Sequence, residues 1–324
     1  MPPRFAVLTF GCKVNQADSL EIEGALRARG AVPASPDLAD VVIVNTCSVT
    51  AAADQAARQA IRRTARLNPS ARIVATGCYA TRQPGDLRGL PGVVQLVPNA
   101  LKLDTAGSLA GDRDDGDGTD DGTTPSAPLV WPRPGDRGRT MQPVRVQTGC
   151  DEACSYCIIP ATRGPSRSVP IQTVLDRVRS LENTGCRELI LTGVHLGAYG
   201  RDLRPRASLE DLLDALDRSP GEAVFRLSSL EPMDATPAIV SLILQSRRFA
   251  RHLHLPLQHA SEAVLQAMRR PYSFDRYRRL VESIREALPD AAIGSDLIAG
   301  FPGEGEAEFE LLRVLVSSAY RSRL

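Results

Sequence analysis

The 324-residue chain is poor in aromatic residues, which make up 4% of it, and carries one tryptophan and four methionines. Lysine is nearly missing: Lys13 and Lys102 stand among 39 basic residues, a bias that reads as proteome composition rather than function. No apolar run nears the roughly 20 residues of a membrane span, which argues against a helical membrane protein. Met1-Pro2-Pro3-Arg4-Phe5 passes straight into a strand-like run, with neither the apolar stretch nor the cleavage site of a secretory signal. A net charge of +1 with 43% apolar residues excludes wholesale disorder and gives no global footprint of nucleic-acid binding. The expectation is a soluble cytoplasmic protein without a membrane partner, with room for roughly two domains. Seven cysteines are present. In a reducing compartment such a set points to metal or redox chemistry more than to disulfides.

The first hundred residues alternate short apolar strands with helical stretches. Phe5–Phe10, Val41–Val44 and Arg72–Thr76 read as buried strands, and Ser19–Arg29 and Ala51–Leu67 as helices. This pattern predicts a parallel α/β sheet domain over residues 1–110. Residues 111–139 are rich in Gly, Asp, Pro, Ser and Thr and are expected to form a flexible linker. The acidic run there lacks the ligand spacing and closing Glu of a calcium loop. Alternation resumes over 140–324, with strands expected at Val144–Gln147, Glu188–Leu191, Val224–Ser228, His252–Leu257 and Ala291–Ile298. Between them, Thr173–Leu181, Leu209–Leu216, Glu262–Met268 and Phe274–Leu288 read as helices. Five βα units in succession suggest part of a parallel barrel with its functional loops at the carboxyl ends of the strands. No sixth strand is legible beyond Phe309.

Cys150, Cys154 and Cys157 form a C-x3-C-x2-C set directly after the first strand of the second domain. Three thiolates on one loop can hold three irons of a [4Fe–4S] cluster and leave the fourth open to a small chelating molecule such as S-adenosylmethionine (SAM). A zinc site or packing cysteines are the alternatives, and zinc in structural sites wants four ligands. Cys12, Cys47 and Cys78 each follow a predicted parallel strand, so all three fall on one edge of one sheet, where open α/β sheets bind ligands. A single cysteine there is a core residue by default. Three in equivalent positions read as ligands of a second cluster. Cys186 reads as a small buried residue.

Thr148 to Cys157 followed by Ile158-Ile159-Pro160-Ala161-Thr162-Arg163-Gly164 resembles the radical-SAM loop of the methylthiotransferases. Thr9-Phe10-Gly11-Cys12-Lys13-Val14-Asn15-Gln16 is similar to the first motif of the branch that modifies threonylcarbamoyladenosine in tRNA. Leu191–Gly200, Ser228–Pro232, Leu255–Gln258 and Gly300–Glu304 point the same way. The resemblance implies an N-terminal parallel α/β domain joined to an incomplete radical-SAM barrel. It implies two [4Fe–4S] clusters, one on Cys12, Cys47 and Cys78 and one on Cys150, Cys154 and Cys157. The second of these would cleave SAM to a 5′-deoxyadenosyl radical that takes a hydrogen from adenine C2. The first would carry or donate sulfur, methylated by a second SAM. Other branches act on isopentenyladenosine or on a ribosomal-protein aspartate. The implied partners are the anticodon stem-loop of tRNA, an electron donor and a sulfur source. Full-length members also complete a sixth barrel strand and add a small C-terminal β-barrel, so the resemblance implies a shortened chain, active or inactive.

Within that resemblance, Tyr156 would lie beside the SAM adenine, Gly193 would let backbone approach the methionine amino group, and Glu231 would reach the ribose or amine. Gln258 and Asp296 would face the same mouth from later strands. The alternatives are a packing ring for Tyr156, a simple turn for Gly193 and a solvated carboxylate for Glu231. No side chain is demanded as a general acid or base. His195, His252, His254 and His259 show no ligand spacing and read as structural. Arg58, Arg62, Arg63 and Arg66 on one helix are one basic face, with solvated arginines as the alternative. Arg269, Arg270, Arg276, Arg278 and Arg279 around Tyr272 and Tyr277 are expected to form another.

Overall fold

A computed structural model of the chain describes residues 1–105, 129–136 and 138–321. Strands β1 (Arg4–Thr9), β2 (Val32–Pro33), β3 (Val41–Thr46), β4 (Arg72–Gly77) and β5 (Val93–Val97) form a fully parallel sheet in the order β2-β1-β3-β4-β5. The centre is set by the apolar run of β3, where Val42, Ile43 and Val44 are 0% exposed. Each such side chain contributes about 1.5–3 kcal/mol of burial. The two outer strands were not expected. β2 is two residues long and ends in Pro33, which an edge strand tolerates because its N–H side has no partner strand to serve.

Helix α1 (Lys13–Ala28) begins six positions before the expected Ser19, with Cys12 in extended conformation as its N-cap. Its buried residues include Val14, Ala17, Leu20 and Ile22 together with Asn15, Asp18, Ser19 and Glu21, so it is covered all round rather than along one stripe. The first domain is completed by α2 (Ala51–Leu67), which matches its expected bounds, and the short α3 (Cys78–Arg82) and α4 (Pro84–Arg88).

The second unit places β6 (Gln142–Arg145), β9 (Glu188–Thr192) and β10 (Val224–Leu227) in one parallel sheet of order β10-β9-β6, with the short antiparallel pair β7 (Gln147–Thr148) and β8 (Arg167–Ser168) beside it. Parallel bridges Phe225–Phe249 and Ser229–His254 carry the series on to β11 (His252–His254), which pairs in parallel with β12 (Ala292–Gly294). The result is an open, curved run β6-β9-β10-β11-β12 backed by α6 (Ile171–Glu182), α7 (Leu209–Arg218), α8 (Pro237–Gln245), α9 (Glu262–Ala267) and α10 (Phe274–Ala287). A further short helix, α5 (Ile159–Arg163), follows the cysteine loop. The last two strands are shorter than expected: β11 ends at His254 and β12 spans Ala292–Gly294, because the backbone beyond them turns into site loops. Among the described residues no sixth strand follows; α11 (Glu306–Arg321) does.

Of the stretch expected to be a linker, residues 111–128 and 137 lie outside the described residues. Trp131, in its last part, is 8% exposed and joins the barrel core together with Leu20 of α1. Val130 N–H donates to Gly24 O at 3.1 Å, and a Cβ on Gly24 would lie 3.2 Å from Leu129 Cβ. Helix α1 therefore has the first sheet on one side and β6 on the other.

Candidate functional site

The first cysteine set is built by sheet order. β1, β3 and β4 are neighbours, and Cys12, Cys47 and Cys78 stand at their carboxyl ends. Cys12 is exposed, whereas Cys47 and Cys78 are buried. The glycines before two of them are forced by space. A Cβ on Gly11, at φ +89°, would fall 2.3 Å from Cys47 Sγ, and one on Gly77, at φ +94°, 2.3 Å from Thr46 O. Burial pushes the Cys47 thiol pKa up, and the neighbouring Cys12 and Cys78 push it further the same way. Asn15, from the first turn of α1, ties two of the loops together: its Nδ2 donates to Phe10 O at 2.9 Å and to Thr46 O at 2.8 Å.

The second set occupies the loop after β7. Gly149, at φ +72°, brings the backbone so close to Pro165 that a Cβ would sit 1.8 Å from its carbonyl oxygen. Cys150 N–H donates to Gly164 O, and Ser155 pins the loop to the end of α9 through Met268 O and Ala267 O. The Cys157 thiol is raised by burial and by the nearby Cys154 and Cys150. Gln147 clamps this loop to the one after β9. Its Nε2 donates to Thr148 O and Gly149 O, while its Oε1 accepts from Val194 N–H and His195 N–H at 2.8 and 2.9 Å. Gly193 is needed for that clamp, since a Cβ there would lie 2.8 Å from Leu196 Cδ2 and 3.0 Å from Gln147 Oε1.

Charged groups from later strands close on the same loop. Arg270 Nη1 donates to Cys154 Sγ at 3.2 Å, its Nε donates to Tyr272 Oη, and its other amino group pairs with Glu231. Burial raises the Glu231 carboxyl pKa, with Arg270 opposing. Tyr156 is 38% exposed. Its phenol is pushed up to about 12 by burial, with Cys154 and Glu231 adding to the rise and Arg270 opposing it. His195 lies with Nδ1 4.0 Å from Cys150 Sγ and Nε2 2.8 Å from Asp234 Oδ2. Burial works against its charge, but Asp234 and Cys150 lift its pKa to about 10. Gln258 adopts φ +70° and is bridged to Leu297; its N–H donates to Asp296 O. The Asp296 side chain is 70% exposed and meets His254 Nε2 at 3.5 Å, not the cysteine loop.

Arg270 is not part of a basic surface. Its side chain is 4% exposed and belongs to the cysteine loop. Tyr272 and Tyr277 are buried as well, so the second expected basic face is without its rings; Arg269, Arg276, Arg278 and Arg279 are exposed, the last two paired with Asp275. Arg62, Arg63 and Arg66 are exposed as expected, while Arg58 turns to Tyr79 Oη. Gln147, His195 and Arg270 carried no legible signal as site groups. Only the loop geometry brings His195 and Arg270 to the sulfurs and Gln147 to the backbone of the cysteine loop.

Both triads fit the iron–sulfur donor set in kind: each offers three thiols within electrostatic reach of one another. Among the described residues no three of His, Cys, Asp and Glu close around a single metal ion. A second thiol-rich site is linked to the first through α3, which packs against α5. The connection is a buried polar network. Asp18 takes Lys102, Arg163 Nη2 at 3.1 Å and Arg145 Nε at 3.3 Å, and Glu21 takes Arg145 and Arg177, both at 3.1 Å.

Residues 4–98 match the uncharacterized protein family UPF0004, and residues 144–315 match the Radical SAM superfamily. The chain is 34% identical to a threonylcarbamoyladenosine tRNA methylthiotransferase of Bacillus subtilis, over 93% of this chain and 68% of that one. It is 33% identical to a tRNA-2-methylthio-N(6)-dimethylallyladenosine synthase of Thermotoga petrophila, over 99% of this chain and 73% of the relative. Among solved structures, a radical S-adenosylmethionine methyltransferase from Kitasatospora setae superposes with a TM-score of 0.66 at 15% identity, over 98% of this chain and 71% of that one. A cobalamin-dependent S-adenosylmethionine radical enzyme, OxsB, gives 0.62 at 9% identity over 96% of this chain, which spans about half (51%) of it. At such identities the likeness is one of fold. Two matching domains in this order, and identity above 30% across nearly the whole chain, place it in the radical-SAM methylthiotransferase family.

Proposed function

We propose that this enzyme inserts a methylthio group at C2 of threonylcarbamoyl-modified adenosine beside the anticodon of cytoplasmic tRNA. The observation that carries the reading is the pair of cysteine triads, one at the carboxyl edge of the β1-β3-β4 strands and one on the loop after β7, joined by α3 against α5. The Thr9–Gln16 motif favours the threonylcarbamoyl target over the dimethylallyl one. In this reading Cys150, Cys154 and Cys157 hold one [4Fe–4S] cluster with SAM, and Cys12, Cys47 and Cys78 hold another. When bound, the first supplies the electron that cleaves SAM and the second supplies sulfur.

The residues of the chain bind and orient. Gln147 fixes the cysteine loop relative to the backbone after β9, so Gly193 presents its peptide to the SAM amino group without a side chain in the way. Glu231, held by Arg270, offers a carboxylate to the ribose or amine, and Tyr156 lies beside the adenine. Gln258 and Asp296 complete the rim at the ends of β11 and β12. Arg270 also sets its guanidinium against Cys154 Sγ and so fixes that end of the loop. His195, oriented by Asp234, stands beside Cys150 Sγ. An external reductant and a sulfur source complete the set of partners.

Two measurements test the reading. Anaerobic reconstitution should give about eight irons per chain, falling to about four when Cys12, Cys47 and Cys78 are replaced by Ala. Nucleoside mass analysis of tRNA from a strain lacking the gene should lose the 2-methylthio form of threonylcarbamoyladenosine. Loss of the dimethylallyl derivative, or of the methylthio group on a ribosomal-protein aspartate, would reassign the target.

A further inference from the structure

Arg163 closes α5, shortly after Cys157, and its side chain is completely buried. Its Nη1 donates to Thr148 Oγ1 at 3.0 Å, on the strand that leads into Cys150. Its Nη2 crosses to the first domain and donates to Asn15 Oδ1 at 2.6 Å and to Asp18 Oδ2 at 3.1 Å. Asn15 is the residue whose amide holds Phe10 O and Thr46 O, the carbonyls before Gly11-Cys12 and before Cys47. One guanidinium therefore touches the strand before one cysteine set and the residue that braces two loops of the other.

Charge points the same way. Burial opposes the Arg163 charge, but Asp18, Cys78 and Cys12 raise its pKa above the ordinary arginine value. Lys102, also buried, is brought down to about 8 by burial and by Arg163, while Asp18 and Cys78 pull against that change. Both cations thus lie within electrostatic reach of the Cys78 thiol. Arg163 Nε is buried and has no hydrogen-bond partner, so the guanidinium keeps one donor in reserve. Lys102, Arg163, Arg145 and Arg177 share the two carboxylates of Asp18 and Glu21, so positive charge is left in excess.

We propose that Arg163 is a positioning residue that fixes the Cys12/Cys47/Cys78 loops against the radical-SAM loop and, with Lys102, raises the reduction potential of the group those cysteines hold. This rests on the reading that the triad holds an iron–sulfur cluster. A cation beside such a group favours its reduced, more negative state, and potentials of these clusters follow local charge and hydrogen bonding.

The test uses the full chain with Cys150, Cys154 and Cys157 replaced by Ala, reconstituted so that only the first triad can bind iron. Its midpoint potential is read by EPR-monitored redox titration. Arg163→Met and Lys102→Met should each lower the midpoint, and Arg163→Lys, which keeps the charge, should restore most of it. In the complementary chain lacking Cys12, Cys47 and Cys78, Arg163→Met should move the midpoint less. An unchanged midpoint in Arg163→Met overturns the inference, as does an equal shift in Arg163→Met and Arg163→Lys. Should Arg163→Met fail to fold, Lys102→Met decides, and an unchanged midpoint there overturns the shared electrostatic role. If the parent chain with only the first triad binds no iron, the cluster reading itself fails, a separate outcome.

Discussion

Replacing Asp18 by Asn removes one negative charge at the point where three buried cations meet. Asp18 is 0% exposed and takes Lys102, Arg145 and Arg163. Asparagine has the same shape, so no cavity forms and the loss is electrostatic. Breaking one side of a buried ion pair costs about 3–5 kcal/mol, because the remaining charge stays out of water. Here the orphaned groups are cations on both domains, and the upper part of that range is expected. With a urea slope of about 3 kcal/mol per molar, the unfolding midpoint should fall by roughly 1.3–1.7 M. The assay is urea unfolding of the cluster-free chain followed by far-UV circular dichroism and by fluorescence of Trp131, the single tryptophan, which belongs to the same buried cluster as Leu20 of α1. Asp290→Asn is the control: its partner Arg251 is 49% exposed, so solvent screens the pair and little change is expected. Adding Lys102→Met to Asp18→Asn should cost less than Lys102→Met alone, since the lysine no longer has that partner. A loss under about 1 kcal/mol for Asp18→Asn, equal to the control, would refute the reasoning.

Other outcomes follow from the same geometry. Burial favours protonated Asp18, but Lys102, Arg163 and Arg145 outweigh it and hold its carboxyl well below the usual carboxylate range. Its folded pKa is therefore depressed, so its contribution is present above about pH 4 and is lost as pH falls below that. Unfolding midpoints of the cluster-free chain between pH 3 and 6 should show this slope, and Asp18→Asn should flatten it. Gly149→Ala should halve the iron bound per chain, because a Cβ would strike Pro165 O at 1.8 Å; Gly85→Ala, with open space around it, should leave iron content unchanged. Tyr156→Ala should raise the SAM Kd about tenfold and Tyr156→Phe by less than about twofold, as measured by equilibrium dialysis.

Much of the fold is legible because its strands are short apolar runs. Val41–Val44 and Arg72–Thr76 cannot be anything else between two helical stretches, and the cysteines after them then fall on one sheet edge. The start of α1 is hidden because Lys13-Val14-Asn15-Gln16-Ala17-Asp18 mixes polar and apolar residues without one-sided periodicity. That mixture makes sense only for a helix covered on every side. The Asp18–Arg163 contact spans 145 positions, and no local pattern announces it. Arg270 looks like its basic neighbours in sequence, and only the backbone turn at Arg269, with φ +59°, precedes its entry into the cysteine loop. His195 is likewise unremarkable until Asp234 is folded against it. Trp131 sits in a stretch whose composition reads as linker, yet one large ring is enough to anchor it to a core.

Helix α1 has one further consequence, for the order of assembly during synthesis. Its Asp18 and Glu21 find Arg145, Arg163 and Arg177 only in sequence made more than a hundred positions later. While the ribosome is still making the second domain, the first can pair its strands and pack α2, but α1 shows water an acidic, half-apolar flank. Docking of the barrel both neutralises and dries that flank. The first domain on its own should therefore behave as a sticky intermediate whose α1 flank carries unmatched carboxylates, and the early chain should reach its final form only when the arginines of the second domain arrive.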